Sequence, residues 1–214
     1  MDRKEIYTHI DHTLLKAVSS WDEIKDICDT AIKYHTVSVC IPPSFVKRVH
    51  EAYPELNICT VIGFPLGYNS TETKVFETKD AISSGANEID MVINLGYVKD
   101  GQFDKVTEEI RKLKEVCGNH ILKVIIETCY LTEDEKIALC KCVSDAKADY
   151  IKTSTGFGTA GAKLEDIELF KKYIDPSVKI KAAGGIKTKE DIDNFLNAGA
   201  DRLGSSSAIK ILDE

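Results

Sequence analysis

The sequence predicts a (β/α)8 barrel, a closed ring of parallel strands surrounded by helices. Short apolar runs recur along the chain, and nearly every gap between them holds apolar residues three and four positions apart, which is typical of a helix. Parallel strands need a crossover connection, so strands that alternate with helices indicate parallel pairing. The count of eight runs favours a barrel over an open doubly wound sheet, although both folds give the same local signals.

The strand candidates are short and bounded by turn residues. They are "THID" (8–11), "VSVCI" (37–41), "ICTVIG" (58–63), "EIDMVI" (88–93), "LKVIIE" (122–127), "YIKT" (150–153), "KIKAAG" (179–184) and "RLGS" (202–205). Clear helical patterns lie at 21–35, 70–85, 105–118 and 132–146. Residues suited to begin or end a helix stand at the expected places: Ser20, Thr132 and Thr188 before helices, and Gly85, Gly118 and Gly199 after them.

Length and composition indicate one globular domain, residues 1–214. The chain is 43% hydrophobic and 29% charged, and no change of composition marks a linker. A formal net charge of −7 argues against a general binder of nucleic acid or of anionic membranes. No apolar run approaches the roughly 20 residues that span a bilayer, and "MDRKEIYTHID" lacks the apolar core of a signal peptide. Seven scattered cysteines without CxxC spacing favour a reduced, cytoplasmic protein with no disulfide framework.

Two strand candidates carry a lysine among apolar residues. Lys152 lies in the sixth and Lys181 in the seventh, and a glycine-rich turn follows each. Neighbouring strands lie about 4.8 Å apart, so two inward-pointing lysines would be close neighbours. Desolvation and a nearby like charge both lower the pKa of a lysine, and a neutral amine forms a Schiff base with a carbonyl compound. The alternative is that one lysine extends to the surface or pairs with an acid.

Acidic residues on two other strands are candidate partners for these lysines. Asp90 stands in mid-strand with apolar neighbours, so we expect it inside the barrel as a general acid and base or as half of an ion pair. Lys123 and Glu127 share a predicted face of the fifth strand and form a rival pair. Lys123 ranks lower as a nucleophile because it lies at the strand start, and barrel active sites lie at the strand ends.

Three strands end in turns rich in glycine and serine, "TSTGFG" (153–158), "AAGGIKT" (182–188) and "GSSS" (204–207). Backbone N–H groups of such turns approach anions closely, and the loops after strands seven and eight are the usual phosphate position in this fold. We therefore expect a phosphorylated substrate, with Lys187 supplying a further charge.

Two further motifs carry little weight. "GFGTAG" (156–161) matches G-x-G-x-x-G, but the acidic residue expected about 20 positions later in a dinucleotide site is missing. "HIDHT" (9–13) offers His9, Asp11 and His12, yet His12 points away from the other two and no later strand adds histidines. We expect no metal and no organic cofactor.

The chain resembles the deoxyribose-phosphate aldolase family of class I, Schiff-base aldolases. The resemblance rests on "IDHTLLK", "VSVCIPPSFV", "VIGFPLG", "GANEIDMVINLG", "LKVIIET", "YIKTSTGFG", "KAAGGIKT" and "RLGSSS", which run from residue 10 to 207. It implies a TIM barrel that reversibly cleaves 2-deoxy-D-ribose 5-phosphate to acetaldehyde and D-glyceraldehyde 3-phosphate, without a cofactor.

The resemblance also implies residue roles. Lys152 is the Schiff-base nucleophile, Lys181 makes that amine easier to deprotonate, and Asp90 exchanges protons with Lys181 through a bound water. Asp11 is a polar contact near the substrate. The phosphate lies on Gly156, Gly184, Gly185, Gly204, Ser205, Ser206 and Ser207.

The sequence departs from the family pattern in two places. Many relatives have arginine where this chain has Lys187, which keeps the charge and loses the bidentate fork. Some relatives have a longer C-terminal tail that ends in tyrosine, whereas no tyrosine follows Tyr173 here, so we expect no tail-assisted proton transfer.

Other functions stay open at this point. A phosphate-binding barrel could use Asp90 as a base with no covalent lysine, as an isomerase or lyase. A metal-dependent aldolase would lose activity with a chelator, and a binding protein would keep the phosphate turns without turnover. Helix faces of such barrels often form a dimer, so a homodimer is the expected assembly.

Overall fold

The computed structural model describes residues 1–213 and has eight parallel strands that close into a barrel, in the order β1 to β8. The strands are β1 (Ile10–Thr13), β2 (Ser38–Ile41), β3 (Ile58–Ile62), β4 (Glu88–Val92), β5 (Ile121–Ile125), β6 (Tyr150–Lys152), β7 (Lys179–Ala183) and β8 (Arg202–Ser205). Pairing of β1 with β8, where Asp11 lies level with Gly204, closes the ring. The barrel prediction is confirmed, and the open sheet is excluded.

Helices connect the strands and surround the barrel. They are α1 (Arg3–Tyr7), α2 (Trp21–Tyr34), α3 (Val46–Ala52), α4 (Thr71–Ser83), α5 (Leu95–Lys99), α6 (Phe103–Cys117), α7 (Glu133–Asp145), α8 (Leu164–Tyr173), α9 (Lys189–Ala198) and α10 (Ala208–Asp213). Short 3-10 turns lie at Pro43–Phe45 and Thr128–Tyr130.

The predicted helix starts are confirmed in detail. Ser20, Thr132 and Thr188 each form a capping box, in which the hydroxyl accepts from a backbone N–H three positions later and an acidic side chain there accepts in return. Such a cap stabilises a helix by about 1 kcal/mol, because it satisfies backbone donors that have no partner inside the helix.

The first strand is the largest departure from the predicted boundaries. The sequence predicts strand 8–11, whereas β1 begins two residues later, at Ile10. The cause lies in α1, which Asp2 caps at its start, with Thr8 completing its final turn. His9 then leaves the helix, and its Nδ1 lies 2.7 Å from the Asp201 carbonyl oxygen.

The apolar core lies between the strands and the helices. Outward-facing residues such as Ile89, Val124 and Ile151 are fully buried against the helix layer. The opposite faces of the same strands line the barrel interior, where charged side chains lie beside apolar ones such as Cys40, Cys59 and Val61. The fold therefore leaves its polar chemistry inside the ring.

No helix within residues 1–213 is long and apolar enough to cross a membrane. All seven cysteines are free, and six of them are buried.

Candidate active site

The register of neighbouring strands brings the predicted lysines together. Lys152 on β6 lies level with Lys181 on β7, and Asp90 on β4 lies level with Lys123 on β5. Side chains alternate between the two faces of a strand, so each of these residues points inward while its sequence neighbours face the helices. Four ionisable groups from four consecutive strands therefore meet inside the barrel.

Asp90 is the centre of this arrangement and is fully buried. Its Oδ2 accepts hydrogen bonds from Lys152 Nζ and Lys181 Nζ, each at 2.7 Å. Its Oδ1 accepts from Lys123 Nζ at 2.9 Å and from Cys59 Sγ at 3.2 Å. One oxygen thus connects two amines on the side of the strand ends, and the other is occupied by partners deeper in the barrel.

Further ion pairs lie below Asp90. Arg202 Nη1 lies 2.7 Å from Asp11 Oδ1 and 3.1 Å from Glu88 Oε2. Lys123 Nζ lies 2.5 Å from Glu88 Oε2, and Lys181 Nζ also contacts Asp11 Oδ2. We call the whole group the charged cluster: Asp11, Glu88, Asp90, Lys123, Lys152, Lys181 and Arg202. It contains four basic groups and three carboxylates.

These contacts determine the protonation of the deep members of the cluster. Burial raises the pKa of Asp90, but Lys123, Lys152 and Lys181 outweigh it and hold that pKa well below its usual range. Asp11 behaves in the same way: burial is outweighed by Lys181, Lys123 and Arg202, and its pKa is lowered. Both acids are therefore carboxylates at neutral pH.

The lysine pair differs from the expectation of mutual repulsion. Burial lowers the pKa of Lys181, but Asp11 and Asp90 outweigh it and raise that pKa above the usual range. Burial of Lys123 is likewise outweighed by its acidic neighbours, chiefly Asp90, and its pKa is raised. Repulsion between the two lysines therefore does not control the pKa of Lys181; the carboxylates of Asp11 and Asp90 do.

A cavity of about 330 Å³ opens at the carboxyl ends of the strands. Lys152 reaches it, whereas Lys123 and Lys181 are completely buried below. The lining residues are Thr13, Leu14, Leu15, Lys16, Lys152, Thr155, Gly156, Phe157, Ala183, Gly184, Gly185, Ile186, Gly204, Ser205, Ser206 and Ser207. Among the three interior lysines, Lys152 is the one that a ligand in this cavity can touch.

All the predicted glycines and serines line the cavity, and we call them the glycine rim: Gly156, Gly184, Gly185, Gly204, Ser205, Ser206 and Ser207. Gly156, Gly184 and Gly185 have φ of 88°, 77° and 77°, a left-handed backbone that favours glycine. Glycine adopts this conformation without steric cost, which lets the chain turn at the cavity wall.

Two predicted binding residues lie elsewhere. Asp11 is fully buried in the charged cluster and does not line the cavity, because its carboxylate is bound to Lys181 and Arg202. Lys187 also lies outside the cavity lining, with an exposed side chain beyond the turn at 184–186. The structure places Lys16 in the cavity wall instead, an exposed cation that sequence reasoning missed.

The rival pair of Lys123 and Glu127 does not form. Strand β5 ends at Ile125, and Glu127 has φ of 52°, so the alternation of faces does not extend to it. Its carboxylate accepts from the backbone N–H of Thr155 at 3.1 Å, while Lys123 binds Asp90 and Glu88.

Sequence reasoning also missed the partners that arrive from distant strands. Cys59 on β3, the strand beside β4, contacts Asp90 and Lys123, and Arg202 joins the charged cluster because closure of the barrel brings β8 beside β1. The alternation of inward and outward positions that identified Asp90 could also have found Arg202. It would have required a search for a polar or charged residue at the inward positions of every strand.

One group of possible metal ligands lies in the described residues, formed by Cys40, Cys59 and Asp90. Lys123 Nζ lies 3.3 Å from Cys59 Sγ and 2.9 Å from Asp90 Oδ1. A cation at this place would meet an ammonium group, so the position suits a hydrogen-bonded cluster rather than a metal centre.

The amine of Lys152 can be reached from the cavity. It shares Asp90 Oδ2, an oxygen that can accept a proton, with the amine of Lys181. Desolvated groups of this kind perform covalent and acid–base catalysis on carbonyl compounds. The adjacent glycine rim supplies backbone donors for an anionic group.

Comparison with known proteins agrees with this chemistry. A model of the DeoC/LacD family aldolase matches residues 6–207. Deoxyribose-phosphate aldolase of Clostridium botulinum strain Alaska E43 is 66% identical over 99% of this chain and 96% of its own length. The corresponding protein of Clostridioides difficile strain 630 is 55% identical over 98% of this chain and 96% of its own length.

A solved structure of similar shape is that of the tetrameric deoxyribose phosphate aldolase from Aeropyrum pernix, with a TM-score of 0.93 and 27% identity. The match covers 99% of this chain and 91% of that one. The lysine-bearing barrel interior and the family match over almost the whole sequence lead to one conclusion: the chain belongs to the DeoC/LacD family of aldolases.

Proposed function

We propose that this aldolase reversibly cleaves 2-deoxy-D-ribose 5-phosphate to D-glyceraldehyde 3-phosphate and acetaldehyde through a Schiff base on Lys152. The single observation that carries the proposal is Lys152 itself, a lysine 3% exposed, hydrogen-bonded to Asp90 and open to the cavity. The glycine rim beside it suits a phosphate, and relatives 66% and 55% identical to this chain carry the name of this activity.

Charge balance in the cluster favours a nucleophilic amine. Four basic groups meet three carboxylates, so the cluster is neutral when one amine is unprotonated. Lys181 and Lys123 are bound to two or more carboxylates each, whereas Lys152 is bound to Asp90 alone. Lys152 is therefore the interior lysine with the fewest carboxylate contacts.

In the first half of the reaction, Lys152 Nζ forms a bond to C1 of the open-chain sugar, and loss of water leaves an iminium ion. A base removes the proton of the C3 hydroxyl, the C2–C3 bond breaks, and its electron pair moves to the iminium nitrogen. D-Glyceraldehyde 3-phosphate leaves, and an enamine stays on Lys152. The iminium acts as the electron sink that makes this cleavage possible.

In the second half, C2 of the enamine takes a proton, and water releases acetaldehyde from the resulting iminium. We assign this proton transfer to Lys181 and Asp90, because Asp90 Oδ2 accepts hydrogen bonds from both Lys181 and Lys152. Lys181 is the acid, and Asp90 Oδ2 receives and returns protons next to the reacting nitrogen.

Trapping with sodium borohydride tests the covalent step. Wild type, Lys152→Ala and Lys141→Ala are incubated with acetaldehyde or with 2-deoxyribose 5-phosphate, then reduced and mapped by mass spectrometry. Lys141 lies on the exposed face of α7, paired with Asp145, so its variant is the matched control. We expect a reduced adduct on Lys152 in wild type and in the control.

An adduct on Lys123 or Lys181 would keep the reaction and overturn the residue assignment. Absence of any adduct in a folded, phosphate-binding protein would contradict the Schiff base, and loss of activity with a chelator would favour the metal-dependent alternative.

We also propose that residues 1–214 act as one catalytic domain, that the protein is cytoplasmic, and that it forms a homodimer. Support for the compartment comes from seven free cysteines, since an oxidising compartment favours disulfides. Sedimentation equilibrium would measure the assembly, and a mass other than that of two chains would contradict the dimer.

A further inference from the structure

Glu127 is a buried acid that the reaction above does not use. It is 3% exposed, and among the described residues it takes part in hydrogen bonds but in no ion pair. Its φ of 52° is also unusual for a residue with a side chain. A buried carboxylate without a cation and a left-handed backbone both cost free energy, and such costs cluster at functional sites.

The carboxylate of Glu127 binds one residue twice. Oε1 accepts from the backbone N–H of Thr155 at 3.1 Å, and Oε2 accepts from the Thr155 hydroxyl in a very short contact. The same hydroxyl oxygen accepts from the N–H of Phe157 at 2.9 Å. Glu127 therefore binds the Thr155 amide directly and the Phe157 amide through the Thr155 hydroxyl, two of the three backbone amides in the segment 155–157.

These contacts are the main polar anchor of the loop that follows β6. Hydrogen bonds between the backbone of β6 and the neighbouring strands continue only as far as Thr153. Its N–H donates to the Lys181 carbonyl, and its carbonyl accepts from the Thr128 N–H. Within residues 1–213, the backbone of 154–161 forms no hydrogen bond with another backbone group. The position of Lys152 is thus fixed by the barrel, whereas the position of the loop depends on Glu127.

The loop forms the wall of the cavity at Thr155, Gly156 and Phe157. With the amides of Thr155 and Phe157 occupied, the N–H of Gly156 has no hydrogen-bond acceptor among the described residues. A free backbone N–H beside the glycine rim is a donor for an anion.

We propose that Glu127 is a positioning residue, which holds the loop after β6 so that the Gly156 N–H meets the phosphate of the substrate. The inference rests on the proposed function. It predicts a residue that matters for the phosphorylated substrate and not for the chemistry at Lys152.

The test compares Glu127→Ala with wild type on 2-deoxyribose 5-phosphate and on 2-deoxyribose, which lacks the phosphate. Alanine also has a side chain that disfavours the left-handed backbone, so the variant removes the carboxylate and leaves the local strain in place. We expect KM for the phosphorylated substrate to rise about tenfold, the usual effect of losing a hydrogen bond to a charged group. The kcat/KM for 2-deoxyribose should change by less than about twofold, since its chemistry does not use the loop.

Two variants sharpen this result. Glu127→Gln keeps the length and an oxygen for the Thr155 N–H, so it should recover most of the affinity. Asp201→Ala is the control, because Asp201 also accepts a backbone N–H, that of Ile180 at 2.8 Å, and lies just before β8, outside the cavity lining. It should show no difference between the two substrates.

If Glu127→Ala does not fold, Glu127→Asn replaces it, because asparagine tolerates the left-handed backbone and is too short for both contacts. The same phosphate-selective loss is expected. An equal loss on both substrates, or no loss, would overturn the inference while wild type remains an aldolase. Failure of wild type to cleave 2-deoxyribose 5-phosphate would instead overturn the proposed function.

Discussion

The charged cluster and the glycine rim both reach the cavity, the cluster through Lys152, yet they are built in opposite ways. The cluster consists of long side chains from seven residues, all buried, that hold each other by ion pairs. The rim consists of residues with small side chains or none, and it offers backbone groups at a surface.

This difference separates two tasks. Side-chain ions deep in the barrel control where protons reside, because each carboxylate changes the charge of its neighbours strongly in a desolvated place. Backbone donors at the rim bind an anion without adding titratable groups to the site. Substitutions in the two regions should therefore have different effects. Those in the cluster should lower the reaction rate and the stability, and those in the rim should raise KM.

The largest effect is expected for Asp90→Asn. The change removes the oxygen shared by Lys152 and Lys181 as a proton acceptor, so kcat/KM should fall by about 10²–10⁴. It also leaves the buried ammonium groups of Lys123 and Lys181 with less compensation, which should lower the free energy of unfolding by about 3–5 kcal/mol. Steady-state kinetics and urea unfolding measure the two effects.

Glu109→Gln is the control for this variant. Glu109 is a buried carboxylate that pairs with Lys74 at 2.9 Å in the helix layer, outside the barrel interior. It should lose stability and keep kcat/KM within about threefold. If both variants lost the same fraction of kcat/KM, the loss in Asp90→Asn would reflect reduced stability, and a catalytic role of the cluster would be contradicted.

A second, smaller effect concerns acid unfolding. The pKa values of Asp11 and Asp90 are lowered in the folded chain, so their stabilisation is complete above the unfolded value of about 4 and is lost as pH falls below it. The raised pKa values of Lys123 and Lys181 act in the other direction: their stabilisation is complete below about 10.4 and is lost only as pH rises through the folded values.

Urea unfolding of wild type should be measured between pH 2.5 and 5, a window of roughly two to three units around the unfolded carboxyl pKa. The free energy of unfolding should decrease as the pH is lowered. Asp90→Asn lacks one of the two cluster carboxyls whose pKa is lowered, so the slope of its stability against pH should be smaller by about 1.4 kcal/mol per pH unit. Equal slopes in the two proteins would mean that Asp90 is not ionised in the folded cluster.

At the rim, Gly184→Ala should raise KM rather than lower the rate. Gly184 has φ of 77°, and an added Cβ would lie 3.1 Å from Gly161 Cα, so the turn must shift. We expect KM for 2-deoxyribose 5-phosphate to rise about tenfold with kcat within about threefold. Borohydride trapping with acetaldehyde, which has no phosphate, should be unchanged. A fall in kcat at constant KM would mean that the rim takes part in the chemical step, and would contradict the proposed division of tasks between rim and cluster.

The sequence predicted which residues belong to the cluster and to the rim better than it predicted their contacts, for a physical reason. Alternation along a strand decides which side chains point inward, so the sequence alone assigns Asp90, Lys152 and Lys181 to the interior. It does not reveal their partners, because Arg202 and Asp11 meet only when β8 closes on β1. The raised pKa of Lys181 follows from that unseen closure.

The rim residues were found from glycine content, but their contacts depend on loop conformation, which no periodicity encodes. Glu127 illustrates this: alternation assigned it to the face of Lys123, and a left-handed backbone turns it to Thr155 instead. Likewise, Lys187 follows a predicted phosphate turn in sequence and yet lies outside the cavity, while Lys16 arrives from the loop after β1.

The smallest effect separates these two lysines. Lys187 is exposed and outside the cavity lining, so Lys187→Ala should change KM for 2-deoxyribose 5-phosphate by less than about twofold, since exposed charges are screened by solvent and salt. Lys16→Ala, its counterpart in the cavity wall, should raise that KM by about threefold at low salt and less at high salt. A larger effect for Lys187 than for Lys16 would return Lys187 to the binding site, and would mean that its side chain reaches over the rim when the phosphate is bound.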